Sequence, residues 1–463
     1  MAHDPQKLDH LRSEGDLNIS AHRAAWQREH LHEETRHWLA EDAKYFLHQS
    51  LSTPCLNVLT GAEGATITDL EGRKYYDFHG NNVHQAGFGN PHVIAAITRQ
   101  MAELSFCTRR YTNLPAIQLA QKLTQLAPGD LNRVLFAPGG TAAIGMALKL
   151  ARAATGRFKT ISMWDSFHGA SLDAISIGGE AMFRGGIGPL LPGCEHVPPP
   201  DHRHCPFACG AACNLKCADY IEYVLEKEGD VAAVIGETIR STPYIPPPDY
   251  WRKIRAACDK HGALLILDEI PHCLGRTGKM FTCEHYEVVP DMLVIGKALG
   301  GGIFPLAALI ARDNLNVMAD RALGHYTHEK NPVAAAAGLA AIEYLERENV
   351  LEHTRTLGAY TLDRLRQFQA DHEIVGDVRG LGLLLGVELV RDRATRVRAT
   401  DEAEQVMYEA LRRGLNFKLT MGNILTLTPA LTITRAEMED ALAILESCLR
   451  EVAARRHATH STP

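Results

Sequence analysis

Between about residues 130 and 312, short runs of aliphatic and β-branched residues recur, separated by stretches with helical spacing. The runs are RVLF (133–136), TISMW (160–164), VAAVI (231–235), ALLIL (263–267), MLVI (292–295) and PLAALIA (305–311). Most are continuous apolar runs, which fits strands buried on both faces. They therefore predict an α/β fold with a mainly parallel sheet covered by helices. Before this region, residues 56–78 alternate and turn like antiparallel strands, and residues 21–50 are charged, histidine-rich and helix-permissive. After it, AAAAGLAAIEYLE, GLGLLLGVELV and AEMEDALAILESCLREVAA suit a smaller α+β domain. The expected division is an arm and part of the small domain in 1–70, a large domain in 71–332, and a C-terminal small domain in 333–463. No internal repeat is visible.

Composition narrows the function classes. A chain of 463 residues with 46% hydrophobic content can build a large core and a smaller one beside it. The net charge of −7 comes from interspersed acidic and basic residues, so there is no basic stripe for a nucleic acid. No stretch has the length of a membrane span, and the opening MAHDPQKLDHLRSEGDL lacks the apolar core and cleavage site of a signal peptide. Eleven cysteines scattered through helix-like and strand-like text suit reduced thiols. A cytoplasmic enzyme is the expectation.

In an open α/β sheet, ligands bind beyond the carboxyl ends of the strands. The segments after five of the runs are rich in polar residues and glycine: Ala137-Pro138-Gly139-Gly140-Thr141, then Asp165-Ser166-Phe167-His168-Gly169, Gly236 to Arg240, Asp268-Glu269, and Gly296-Lys297. Gly140 and Thr141 open a helix, whose free N–H groups and hydroxyl suit a phosphate dianion. Asp268 could keep a ring nitrogen protonated, and Phe167 could stack on the ring. A desolvated Lys297 could lose its proton and attack an aldehyde. Singly, each has a plain alternative: a helix start, an N-cap aspartate, a solvated lysine. Their convergence on one sheet edge favours a cofactor site.

The segments GRKYYDFHGN, GGTAAIGMALKLARAATGR, DSFHGASL, LDEIPHCLGRTGKMF, VIGKALGGGIFPLAAL and THEKNP resemble the class III aminotransferases, fold-type I enzymes that use pyridoxal 5'-phosphate (PLP). The resemblance covers essentially the whole chain. It implies that Lys297 carries the cofactor, Asp268 holds its pyridine nitrogen, and Phe167 and His168 flank the ring. It implies further that Gly140 and Thr141 bind the phosphate, and that Thr327 reaches the phosphate of a second subunit in a homodimer.

Departures from the family pattern bear on the reaction. Where members that act on α-amino acids carry a carboxylate-clamping arginine, the matching position in ILTLTPAL is Thr426. Such a contact contributes about 1.5 to 3 kcal/mol, so its loss argues against those substrates. Arg240 stands where glutamine is usual, Lys330 where glycine is usual, and Pro271 where a glutamine normally touches the phenolic oxygen, a contact that His272 could take over. Asn81-Asn82-Val83-His84-Gln85-Ala86-Gly87 and Thr108-Arg109-Arg110-Tyr111 resemble segments of the ethanolamine-phosphate phospho-lyases of the same family, and SEGDLNISAHR, FHGNNVHQAGFGNP and HCPFAC resemble its aminophosphonate ammonia-lyases. This implies elimination from an amine carrying an anionic group, such as 1-hydroxy-2-aminoethylphosphonate. Arg240, Asn82, Arg110 and Lys330 are then candidates for the anion. For Arg240 the alternative is an ion pair with Glu237 or Glu269. The competing activities are transamination of an ω-amine or β-amino acid, and elimination of phosphate from a phosphorylated aminoalcohol.

Cys205, Cys209, Cys213 and Cys217 recur every four residues near His202 and His204. On one helix that spacing stretches too far for a single tetrahedral zinc site, so small apolar cysteines on a helix face are favoured over a metal centre.

Overall fold

A computed structural model describes residues 19–201, 203–209 and 213–460. The opening segment and His202 lie outside it. The chain divides into two units, one built from residues up to Gly80, Gly87–Asn90 and from His353 onward, the other from Asn81–Ala86 and Pro91–Glu352. The helix Pro332–Arg347 thus stays with the second unit, and the strand Lys74–Phe78 stays with the first. These boundaries differ from those drawn at 70 and 332.

The strands in chain order begin with β1 (Leu59–Glu63), β2 (Thr66–Asp69) and β3 (Lys74–Phe78) in the first unit. The second unit supplies β4 (Leu131–Ala137), β5 (Lys159–Met163), β6 (Cys194–Val197), β7 (Val231–Glu237), β8 (Leu264–Asp268), β9 (Met292–Ile295) and β10 (Ala307–Arg312). The first unit closes with β11 (Val375–Leu381), β12 (Leu384–Leu389), β13 (Leu415–Thr420) and β14 (Ile424–Leu427). Its sheet, ordered β1-β2-β3-β13-β14-β12-β11, is antiparallel except where β3 meets β13.

The second unit's sheet runs β4-β10-β9-β8-β7-β5-β6, with parallel pairing from β6 through β9. β10 is antiparallel to both β9 and β4, so β4 points the same way as the parallel strands. The carboxyl ends of β4, β5, β7, β8 and β9 therefore share one edge, and the chain enters β10 at that same edge. β7 and β9 are buried at every position. The helix Gly140–Thr155 packs Ile144, Met146, Ala147 and Leu150 into the core formed with Ala233, Ile235, Ile266 and Val294. No helix among the described residues is long and apolar enough to cross a membrane.

The cysteine reading needs correction. Cys205, Cys209 and Cys213 lie in loop, and only Cys217 belongs to a helix, Lys216–Glu228. Pro206 interrupts the segment, and the left-handed backbone of Leu215 (φ 58°) precedes the helix, so the four-residue spacing is not a helical face. Among the described residues no group of three or more His, Cys, Asp or Glu is arranged to hold a metal ion.

Candidate active site

The edge where the strand ends meet encloses a cavity of about 570 Å³ within the second unit. Gly139, Gly140 and Thr141 line it after β4, Phe167 and His168 after β5, Asp268 at the end of β8, and Lys297 after β9. Val83, Ile270, Pro271 and the Phe304–Leu306 entry to β10 supply apolar wall. Six of the residues expected around a cofactor are thus brought together: Gly140, Thr141, Phe167, His168, Asp268 and Lys297.

Each is held by local chemistry. Asp268 accepts the Ile270 N–H at 3.0 Å on Oδ1, and its Oδ2 lies 2.8 Å from His168 Nδ1. A carboxylate offers only acceptors, so His168 must carry its proton on Nδ1. His168 Nε2 lies 3.5 Å from Ser162 Oγ, and both Asp268 and His168 are almost wholly buried. Lys297 starts a one-turn 3-10 segment in a left-handed conformation (φ 48°), unusual for a long side chain and consistent with a backbone shaped for function.

At Gly140 a Cβ would stand 2.6 Å from Ile270 Cδ1, so a larger residue would require that cavity-lining side chain to shift. Phe167 packs on Phe183 with ring centroids 4.4 Å apart, and its N–H is donated to Glu237 Oε2 at 3.3 Å.

These residues fit PLP. A helix N-terminus with a hydroxyl stands for the phosphate, a buried carboxylate for the pyridine nitrogen, a lysine for the aldehyde, and apolar and aromatic side chains for the ring.

The residues expected to meet the substrate's anion fall elsewhere. Arg240 is buried, 3.4 Å from Glu180 and 3.8 Å from Glu237. Burial alone would lower its pKa, yet the two carboxylates raise it, while burial pushes Glu237 up. Glu237 was one of its expected ion-pair partners; Glu180 was not foreseen, being 60 residues away in sequence with no motif to mark it. Asn82 is buried in a left-handed backbone (φ 59°) next to cavity-lining Val83. Arg110, Thr327 and Lys330 are exposed and do not line the cavity.

The loops that carry them are nonetheless pinned together. Arg109 reaches His325 Nδ1 at 2.8 Å, the Tyr326 carbonyl at 2.9 Å and Glu329 at 3.5 Å, and Asn113 Nδ2 donates to the Lys330 carbonyl at 3.0 Å. His272, the substitute for the missing glutamine contact, is buried and 3.1 Å from Ser241 Oγ. Burial, with Lys297 and Arg276 nearby, holds its imidazole well below the usual range.

Comparison with known proteins agrees with this geometry. Residues 48–449 match the family model of class III aminotransferases. The chain is 50% identical, over 96% of both lengths, to the (R)-1-hydroxy-2-aminoethylphosphonate ammonia-lyase of Vibrio splendidus. It is 36% identical to the leucine/methionine racemase of Thermococcus litoralis, over 85% of this chain and 91% of the racemase. An amine transaminase from an uncultivated Pseudomonas species, solved in its PLP-bound form, superposes with a TM-score of 0.81 at 29% identity, covering 88% of this chain and 99% of the transaminase. The strand-end cradle and these likenesses together make the chain a PLP-dependent member of the class III aminotransferase family.

Proposed function

We propose that this chain is an ammonia-lyase that converts (R)-1-hydroxy-2-aminoethylphosphonate to phosphonoacetaldehyde and ammonia. The observation that carries the reading is the 50% identity over 96% of both chains to a protein named for action on that compound. In support, Thr426, the residue matched to the carboxylate-clamping arginine of α-amino-acid enzymes, is not a cation, and it is buried with its hydroxyl 2.8 Å from that of Thr420.

PLP, when bound, takes up the electrons of the carbon that bears the amine and so makes its proton removable. The Lys297 amine, which lines the cavity, would be the general base that removes that proton. Asp268, oriented by His168 and by the Ile270 N–H, keeps negative charge where the pyridine nitrogen must stay protonated. The neighbouring carbon then loses hydroxide, which needs a proton, and Lys297 carries one. Water is lost, the product enamine takes water back, and the net result is release of ammonia.

For the phosphonate we favour Arg110 and Lys330 over Arg240, because two carboxylates already compensate the Arg240 charge. Arg110, Lys330 and Thr327 are exposed on loops of fixed shape, which supports a homodimer in which these loops complete the cavity of the other subunit. Eleven cysteines, all unpaired, support a reducing cytoplasmic setting.

The test is incubation with the amine alone, without an oxo-acid acceptor. A lyase releases ammonia over many turnovers. A transaminase stops after one, and that result, or release only from a phosphorylated aminoalcohol, would replace this reading.

A further inference from the structure

Thr141, the hydroxyl expected to meet the cofactor's phosphate, is the end of a chain of polar groups. Its Oγ1 lies 2.5 Å from Ser171 Oγ and accepts the Ser171 N–H at 3.2 Å. Ser171 Oγ in turn lies 2.5 Å from Asp173 Oδ1, which also takes the Ala174 N–H at 3.0 Å. The arrangement is tight. At Gly169 (φ 129°) a Cβ would stand 2.5 Å from Thr141 Oγ1, and at Gly145, on the helix that Thr141 opens, a Cβ would stand 2.5 Å from Asp173 Oδ2. Bare backbone thus lies close against both ends of the chain.

The direction of the protons follows from acceptor counts. A carboxylate has no proton to give, so Ser171 donates to Asp173. Ser171 Oγ is then left only as an acceptor towards Thr141, and Thr141 must donate to Ser171. A threonine hydroxyl has one proton, and this order commits it away from the cavity. A phosphate dianion also offers only acceptors, so it must compete with Ser171 for that proton while standing near the charge of Asp173.

We propose that Asp173, acting through Ser171, is a positioning residue that turns the Thr141 proton away from the cofactor's phosphate and so weakens the phosphate grip. This rests on the assignment of PLP to the cavity. An alanine at 173 removes the acceptor that takes the Ser171 proton, so that Ser171 can donate to Thr141 and Thr141 to the phosphate. An alanine at 171 removes the competing acceptor and leaves the Ser171 backbone donor in place.

The experiment uses the full chain stripped of cofactor and titrated with PLP and, separately, with pyridoxal, which has the same ring and aldehyde without the phosphate. Asp173→Ala is expected to tighten PLP binding by about tenfold, the value of one charge-assisted hydrogen bond, and to leave pyridoxal binding within about twofold. Ser171→Ala is expected to move PLP affinity in the same direction. Adding Thr141→Val to Asp173→Ala is expected to cancel the gain, because the gain requires that hydroxyl.

Unchanged or weaker PLP binding by Asp173→Ala overturns the proposal, as does an equal shift for both ligands, which marks a general packing effect. Should Ser171→Ala not fold, Asp173→Ala and its double variant still decide. Failure of the unaltered protein to bind PLP would remove the cofactor assignment as well, and so differs from failure of the variants alone.

Discussion

The strand-end cradle and the pair of loops at 105–113 and 325–331 belong to the same unit and are built on different principles. In the cradle, backbone and side chains are both fixed: Asp268 is held on each oxygen, Ile270 sits against Gly140, and Lys297 follows a fully buried strand. In the loop pair the backbone is fixed by Arg109 and Asn113, while the side chains of Arg110, Thr327 and Lys330 stand in solvent. A group that must be aligned to within a bond length needs the first construction. A charge that must find an anion carried by a small substrate can use the second.

The contrast can be broken most directly at Lys297. Lys297→Ala is expected to lower ammonia release by about 10⁴-fold and to abolish the absorption band of lysine-bound cofactor; substantial residual turnover would show that the cradle is not the reacting centre. Next in size is Arg240→Ala, which leaves Glu180 and Glu237 buried without their cation. A stability loss of about 3–5 kcal/mol is expected, read as a lowered unfolding midpoint. A selective rise in KM with unchanged stability would return Arg240 to the anion site.

Smaller effects sharpen the loop side. Arg110→Ala and Lys330→Ala are each expected to raise KM by about tenfold with PLP affinity unaltered, an effect that shrinks as salt is added. The least effect concerns Glu269, behind the cradle. It accepts from Thr238 Oγ1 and from the Thr282 and Cys283 N–H groups, yet burial outweighs these donors and pushes its carboxyl up to about 7. A carboxyl raised above its unfolded value binds its proton more tightly in the fold. Its share of stability is therefore complete below that unfolded value and declines as pH rises through about 7. Glu269→Gln is expected to flatten the fall of melting temperature between about pH 5 and 8; an unchanged slope would assign the titration to another group.

The cradle was readable in the sequence because Phe167, His168, Asp268 and Lys297 follow or end strands that are almost wholly buried, and such strands announce themselves as mainly apolar runs, while Gly140 and Thr141 follow the half-buried β4 and are marked by their own glycine-rich text. β6 escaped notice: its text, Cys194 to Val197, is half polar, because it pairs only with β5 at the sheet edge and is partly exposed. Glu180 and Asp173 escaped for another reason. Glu180 meets Arg240, 60 residues distant in the chain, and Asp173 is linked through Ser171 to Thr141, 32 residues distant, and no local spacing encodes such meetings. The cysteine spacing misled because regular intervals were read as a helix where Pro206 and the left-handed Leu215 make a loop.

The buried Arg240 has a mechanical consequence for the wall it stands behind. Its guanidinium joins Glu237, which grips the backbone of Phe167, to Glu180, three residues before Phe183, and the two phenyl rings lean on one another. One cation thus rivets both halves of an aromatic shutter to the end of β7. Any sideways drift of the face that Phe167 presents to the cavity has to carry Phe183 and its whole segment along.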